Sequence, residues 1–219
     1  MARQKKKRFE ENASRYNIVD FPYGEINPIK GNWAKTHFKN NNDLVLELAC
    51  GRGEYSTGLA PHFPDKNFIG IDIKGSRIWY GSSVAIDNNL ENVAFLRTKI
   101  DLLKEHFIEN EVSEIWITFP DPRPRDRDIK RRLTSPNFLD LYKQVLKPGG
   151  WIFFKTDNGP LFEYTLEVLK DYPGIADLEY TFDLYNSPLL AEHFDIKTKY
   201  ELKFHAEGND IKYMKFRLL

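Results

Sequence analysis

One cysteine, Cys50, is all the chain has. A single thiol excludes an internal disulfide framework and any zinc site built on several cysteines. The five histidines (His37, His62, His106, His193 and His205) show no metal-ligand spacing, so no metal is expected. Net charge is also missing: 32 Lys and Arg face 32 Asp and Glu. The chain as a whole therefore has no attraction for a polyanion, and nucleic-acid binding would need a local basic patch. No apolar run approaches the length of a bilayer span, and no apolar segment follows the charged start MARQKKKRFEEN. Together these features predict a cytoplasmic domain without a membrane partner. No internal repeat is visible.

What is present is an ordinary globular composition. Of the 219 residues, 41% are hydrophobic and 29% charged, which argues against wholesale disorder. The length suits one domain of this kind, with a core large enough to need no staple. Residues 31–219 are expected to form that domain. Residues 1–30 are expected to be a basic extension without fixed structure over part of its length. Basic charge is concentrated twice, in Arg3, Lys5, Lys6, Lys7 and Arg8, and in Arg123, Arg125, Arg127, Lys130, Arg131 and Arg132. Such runs are most often solvated surface.

From residue 44 to 156, strand-like and helix-like runs alternate. Strands are expected at 44–49, 68–73, 93–96, 114–119 and 151–156. Helices are expected at 54–62, at 76–89 behind a serine cap, and from Pro136, with Lys147-Pro148-Gly149-Gly150 as a breaker. This alternation implies right-handed βαβ units and a mostly parallel sheet covered on both faces. Residues 178–185 and 211–218 alternate apolar and polar side chains, as an antiparallel edge hairpin would.

The first strand runs into Ala49-Cys50-Gly51-Arg52-Gly53, and the second ends in Asp72. Glycines between strand and helix let a ligand approach the backbone, and an acid at the end of the next strand accepts from ribose hydroxyls. A dinucleotide fingerprint would place a third glycine where Ser56 stands, and no Tyr-x-x-x-Lys pair occurs. Glu47, inside the first strand, is a carboxylate that needs a cationic or donating partner if buried, such as an amino-acid ammonium. The balance favours S-adenosylmethionine over NAD. Cys50 sits in this turn, where a small buried residue fits better than a nucleophile.

LELACGRG, GIDI, ITFPDPRPRDRDIKRRL, LKPGGWIFFKTDN and TKYE, in this order over about residues 44–205, resemble the bacterial tRNA (guanine-N7-)-methyltransferases. The resemblance implies a Rossmann-like methyltransferase fold, with a mostly parallel seven-stranded sheet and an antiparallel C-terminal edge hairpin. It implies S-adenosylmethionine as cofactor, tRNA as partner and N7 of a variable-loop guanosine as target. Expected cofactor contacts are Glu47, Ala49, Gly51, Gly53, Asp72, Ile73, Lys99, Ile100 and Asp121. Asp121 is also the expected catalytic residue, offsetting the sulfonium charge or orienting the base. Lys99 stands where the family usually has Asp or Asn, so backbone groups of Lys99 and Ile100 are expected to serve there. Arg123 and Arg125 replace the usual aromatic and Lys after FPDP. Arg125, Asp157, Thr198 and Glu201 are the expected substrate contacts, with Asp157 or Glu201 gripping the Watson–Crick edge of guanine. Arg127, Lys130, Arg131 and Arg132 are expected on the RNA backbone. A monomer or homodimer fits equally. Two other functions remain open at this point: methylation of another RNA or a small purine, and a non-catalytic RNA-binding module.

Overall fold

A computed structural model describes residues 2–21, 25 and 27–219. The side chains of Arg3 and Lys5, in the N-terminal basic run, lie outside what is described. In chain order the elements are α1 (Ala2–Asn12), β1 (Ile18–Asp20), β2 (Asp43–Leu48), α2 (Glu54–Leu59), β3 (Lys66–Asp72), α3 (Gly75–Asp87), β4 (Val93–Arg97), α4 (Leu103–His106), β5 (Val112–Thr118), α5 (Pro136–Val145), β6 (Leu146–Thr156), α6 (Gly159–Asp171), β7 (Ile175–Thr181), α7 (Lys199–Ala206) and β8 (Lys212–Leu218).

The strands form one sheet in the order β1-β4-β3-β2-β5-β6-β8-β7. Strands β1 to β6 pair in parallel, and β8 lies antiparallel between β6 and β7. The sheet thus has eight strands rather than seven. The extra one is β1, three residues that pair with β4, too short to carry a periodic signal. Residues 2–20 therefore supply a helix and a sheet edge. The Lys147–Gly150 breaker also behaves differently: β6 already runs through it, with a register shift against β5 absorbing the glycines. The serine cap expected on α3 is absent, since Lys74 is its N-cap and caps without a side chain.

Side-chain alternation along each strand sorts residues between the two faces. Leu44, Leu46 and Leu48 join Ile115, Ile117, Ile152 and Phe154 in the core under α5 and α6. Val45 faces the other way, into the core under α2 and α3 with Tyr55, Phe68, Phe95 and Trp116. By the same period Glu47 points toward α2, and Lys155 lies on the face opposite Phe154. These two charged positions inside buried strands shape the site.

Candidate active site

Strands β2 and β5 are neighbours, but the chain leaves them toward opposite edges of the sheet. Ligand crevices form at such a reversal, beyond the carboxyl ends of the strands. A cavity of about 1020 Å³ opens there. Its walls include residues 49–52 after β2, Asp72 at the end of β3 with Ile73 after it, residues 98–100 after β4, residues 118–123 from the end of β5 and Asp157 after β6. Thr198 and the first turn of α7 close one side, and Arg8 of α1 reaches the other.

Asp72 ties two strand ends together. One carboxylate oxygen accepts from the Gly51 amide at 3.0 Å and the other from the Lys74 amide at 2.8 Å. A carboxylate has about four acceptor sites, so capacity remains for a ligand's hydroxyls. Gly51 has φ +58°, and a Cβ there would meet nothing within 4 Å. The open space before this amide is where a ligand can touch backbone. Gly53, also at positive φ, does not line the cavity; its Cβ would overlap the Phe95 ring. Gly53 therefore lets α2 pack closely on the Phe95 ring.

Glu47 likewise stands off the cavity wall. It is 2% exposed and does not line the cavity. Its oxygens accept from the Ser56 amide and hydroxyl, both at 2.7 Å, and from the Tyr55 amide at 3.4 Å. Its partners here include the orphan amides opening α2. Burial pushes its carboxyl up to about 8, against the pull of those donors. Cys50 is buried as expected, and burial raises its thiol.

Asp121 stands at the cavity rim. Its carboxylate is 64% exposed and pairs with the Arg123 guanidinium at 3.2 Å. Phe119 at the end of β5 has φ +49° and Arg123 has φ +48°. Non-glycine residues seldom hold this conformation, which clusters at functional turns. The basic run that follows is partly spoken for. Arg125 and Arg131 both pair with buried Asp128, and Arg132 donates to the Arg123 carbonyl and lies over the Tyr164 ring. None of Arg125, Arg127, Lys130, Arg131 and Arg132 lines the cavity.

Of the two carboxylates expected on the guanine edge, only Asp157 lines the cavity. Asn158, not Asp157, caps α6 by accepting from the Leu161 amide at 2.8 Å. Burial raises the Asp157 carboxyl. Glu201 is fully buried and committed elsewhere. It pairs with Lys155 at 2.6 Å, accepts from the Tyr185 hydroxyl at 3.0 Å and closes a capping box with Thr198. Thr198 lines the cavity, though its hydroxyl accepts from the Glu201 amide at 3.1 Å.

A family model described as a putative methyltransferase matches residues 41–214. A tRNA (guanine-N(7)-)-methyltransferase of Cytophaga hutchinsonii is 49% identical, spanning all of this chain and 99% of its own. Proteins of that name from Bacteroides fragilis and Clostridium novyi are 43% and 44% identical, spanning 100% and 87% of this chain and 87% of each of theirs. The chain belongs to the tRNA (guanine-N7-)-methyltransferase family. Among solved structures, the 16S rRNA methyltransferase KamB superposes with a TM-score of 0.63 at 15% identity, covering 92% of this chain and 98% of that one. A 16S rRNA (adenine(1408)-N(1))-methyltransferase from Catenulisporales acidiphilia, solved with its cosubstrate S-adenosylmethionine, gives 0.54 at 14% identity, covering 89% and 92%. At such identities these two show a shared fold.

The methyl donor of this family is S-adenosylmethionine, and the site fits it. Asp72 offers acceptors for a ribose diol, Gly51 offers open backbone, and Ile73, 49% exposed, offers an apolar wall. The family pattern gave no role to Lys155, Tyr55 and His193, which form a buried hydrogen-bonded chain. Its one sequence signal is a lysine inside an apolar strand, in WIFFKT. Nor did it give a role to Tyr200 and Phe204, which line the cavity one helical turn apart.

Proposed function

We propose that this protein transfers the methyl group of S-adenosylmethionine to N7 of a guanosine in tRNA, and that the guanosine lies in the variable loop. The observation that carries the reading is the cavity itself. One crevice at the strand-order reversal gathers Asp72, Asp121, Asp157 and Thr198, four positions of the family's motifs.

When bound, the donor supplies an electrophilic methyl on a sulfonium. The protein's residues place the partners. Asp72 and the Gly51 amide hold the donor. Asp157 accepts from the N1–H and exocyclic amine of guanine, turning N7, on the far side of the base, toward the methyl. N7 carries a free lone pair, so no proton leaves before attack and no general base is required. Alignment of the two reactants is then the main contribution. Asp121, at the rim, offsets charge around the reacting centre. The reaction runs in the cytoplasm, in a monomer or a homodimer.

The test is incubation of the protein with labelled S-adenosylmethionine and bulk tRNA, followed by nucleoside analysis. Label in 7-methylguanosine is expected. Label in another nucleoside, or none in tRNA, would overturn the assignment.

A further inference from the structure

Eight basic side chains and four carboxylates line the cavity, in a chain whose net charge is zero. That excess does not suit the donor alone, which carries a sulfonium and an ammonium against one carboxylate. It suits a polyanion at the mouth.

Three of the eight, Arg8, Arg52 and Arg77, come from parts of the chain remote in sequence from the 123–132 run. The guanidinium carbon of Arg8 lies 4.5 Å from the centre of the Tyr80 ring, and that of Arg52 lies 4.3 Å from the same centre. Arg8 also lies 5.1 Å from the centre of Trp79. Arg77, within a turn of Tyr80 on α3, shares the rim. Among the described residues, no carboxylate pairs with Arg8, Arg52 or Arg77. A guanidinium stacked on an aromatic ring keeps its in-plane N–H groups available, and that planar fork matches phosphate oxygens. Helix α1 is fixed so that Arg8 stays there. Trp79 Nε1 donates to Glu11 at 2.6 Å, and Asn12, itself buried, donates to the Gly75 carbonyl at 2.9 Å.

We propose that this α1–α3 rim, with Arg8, Arg52 and Arg77 around Tyr80, is a second phosphate-gripping surface for the RNA substrate. It rests on the reading of the cavity as a tRNA-methylating site. The RNA backbone is held on both sides of the mouth, at this rim and at Arg127 and Lys130 beyond the other. Helix α1 then belongs to the substrate-binding surface.

The test is the salt dependence of bulk tRNA binding, measured without donor at 50 and 200 mM KCl. Wild type is compared with Arg8→Gln, Arg77→Gln, their double variant and the charge-keeping Arg8→Lys. Each lost phosphate contact flattens the salt dependence. The ratio of the two affinities is expected to fall about threefold in each single Gln variant and about ninefold in the double, and to stay near wild type in Arg8→Lys. S-adenosylhomocysteine binding, read by calorimetry, is expected to be unchanged and reports that the cavity is folded. Ratios equal to wild type in both Gln variants, or loss of S-adenosylhomocysteine affinity with unchanged ratios, would overturn the proposal. A wild-type protein that makes 7-methylguanosine while the Gln variants keep its ratio sinks the rim alone. A wild-type protein that makes none sinks the functional reading first.

Discussion

The ammonium of Lys155 lies 2.6 Å from a carboxylate oxygen of Glu201, and each side chain is 1% exposed. Strand alternation turns Lys155 off the face of Phe154 and toward α2, where its ammonium also donates to the Tyr55 hydroxyl at 2.9 Å. That hydroxyl sits 2.7 Å from His193 Nδ1. Glu201 reaches the same point from α7. One buried pair thus joins β6, α2 and α7, and α7 is the helix whose first turn walls the cavity. Burial lowers the Lys155 ammonium, while Glu201 pulls it back up. The pair thereby fixes the helix that carries Thr198 and Tyr200, both of which line the cavity.

Removing one member of a buried pair leaves the other charge without compensation, at a cost of about 3–5 kcal/mol. Lys155→Met is expected to lose that much stability in urea unfolding. Adding Glu201→Gln, which keeps an acceptor for the capping box, removes the stranded charge. The double variant is expected to regain more than half of the loss. A double variant as unstable as the two single losses added would show that the two side chains are not coupled.

Gly51 and Gly53 look alike in sequence and are expected to fail differently. Both have positive φ, which costs any other residue about 1 kcal/mol or more. A Cβ at Gly53 also collides with the buried Phe95 ring, whereas one at Gly51 enters the open cavity. Gly53→Ala is therefore expected to lose several kcal/mol of stability by overpacking. Gly51→Ala is expected to lose only about 1 kcal/mol, yet to weaken S-adenosylhomocysteine binding severalfold. Calorimetry and thermal unfolding on both variants separate the two effects.

Much of this was legible before the structure. The apolar strands LVLELA, FIGIDI, EIWITF and WIFFKT announced themselves, because a parallel sheet covered on both faces needs uninterrupted apolar runs. Asp72, Asp121 and Asp157 follow from those strands, since each stands just at or past a strand's carboxyl end. That Glu47 and Glu201 stand off the cavity wall was not legible, because a motif gives a residue's neighbourhood, not its direction. Period two turns Glu47 away from the cavity, and the i to i+3 geometry of a capping box turns Glu201 inward. Strand β1 and the reach of Arg8 depend on how α1 folds back onto α3, a long-range contact that local periodicity does not encode.

Glu47 gives a pH dependence of stability with a definite sign. In the folded chain burial raises its carboxyl to about 8, while an unfolded chain holds it near about 4.3. Folding therefore takes up a proton between these values. The contribution of the protonated carboxyl is complete below about pH 4.3 and is lost as pH rises through about 8. Glu47→Gln keeps an acceptor for the Ser56 amide and has no such proton. Its stability relative to wild type is expected to improve from pH 5 to pH 8, read as a growing difference between urea midpoints. A difference that stays constant would place the Glu47 carboxyl outside this window.

Two of the cavity carboxylates, Asp121 and Asp157, are expected to part company in the pH profile of tRNA methylation. Asp157 must be ionised to accept both donors of the guanine edge, and burial raises its carboxyl above the usual range. Activity is thus expected to fall on the acid side at a higher pH than an ordinary aspartate would give. Asp157→Asn is expected to lower kcat/KM and to abolish that limb. Asp121→Ala removes charge and the Arg123 pairing at the rim, and is expected to lower turnover on the order of a hundredfold through misplacement. The acid limb should survive in Asp121→Ala, because N7 surrenders no proton and Asp121 abstracts none. A limb that vanishes in Asp121→Ala and persists in Asp157→Asn would exchange the two roles and require a general base at the rim.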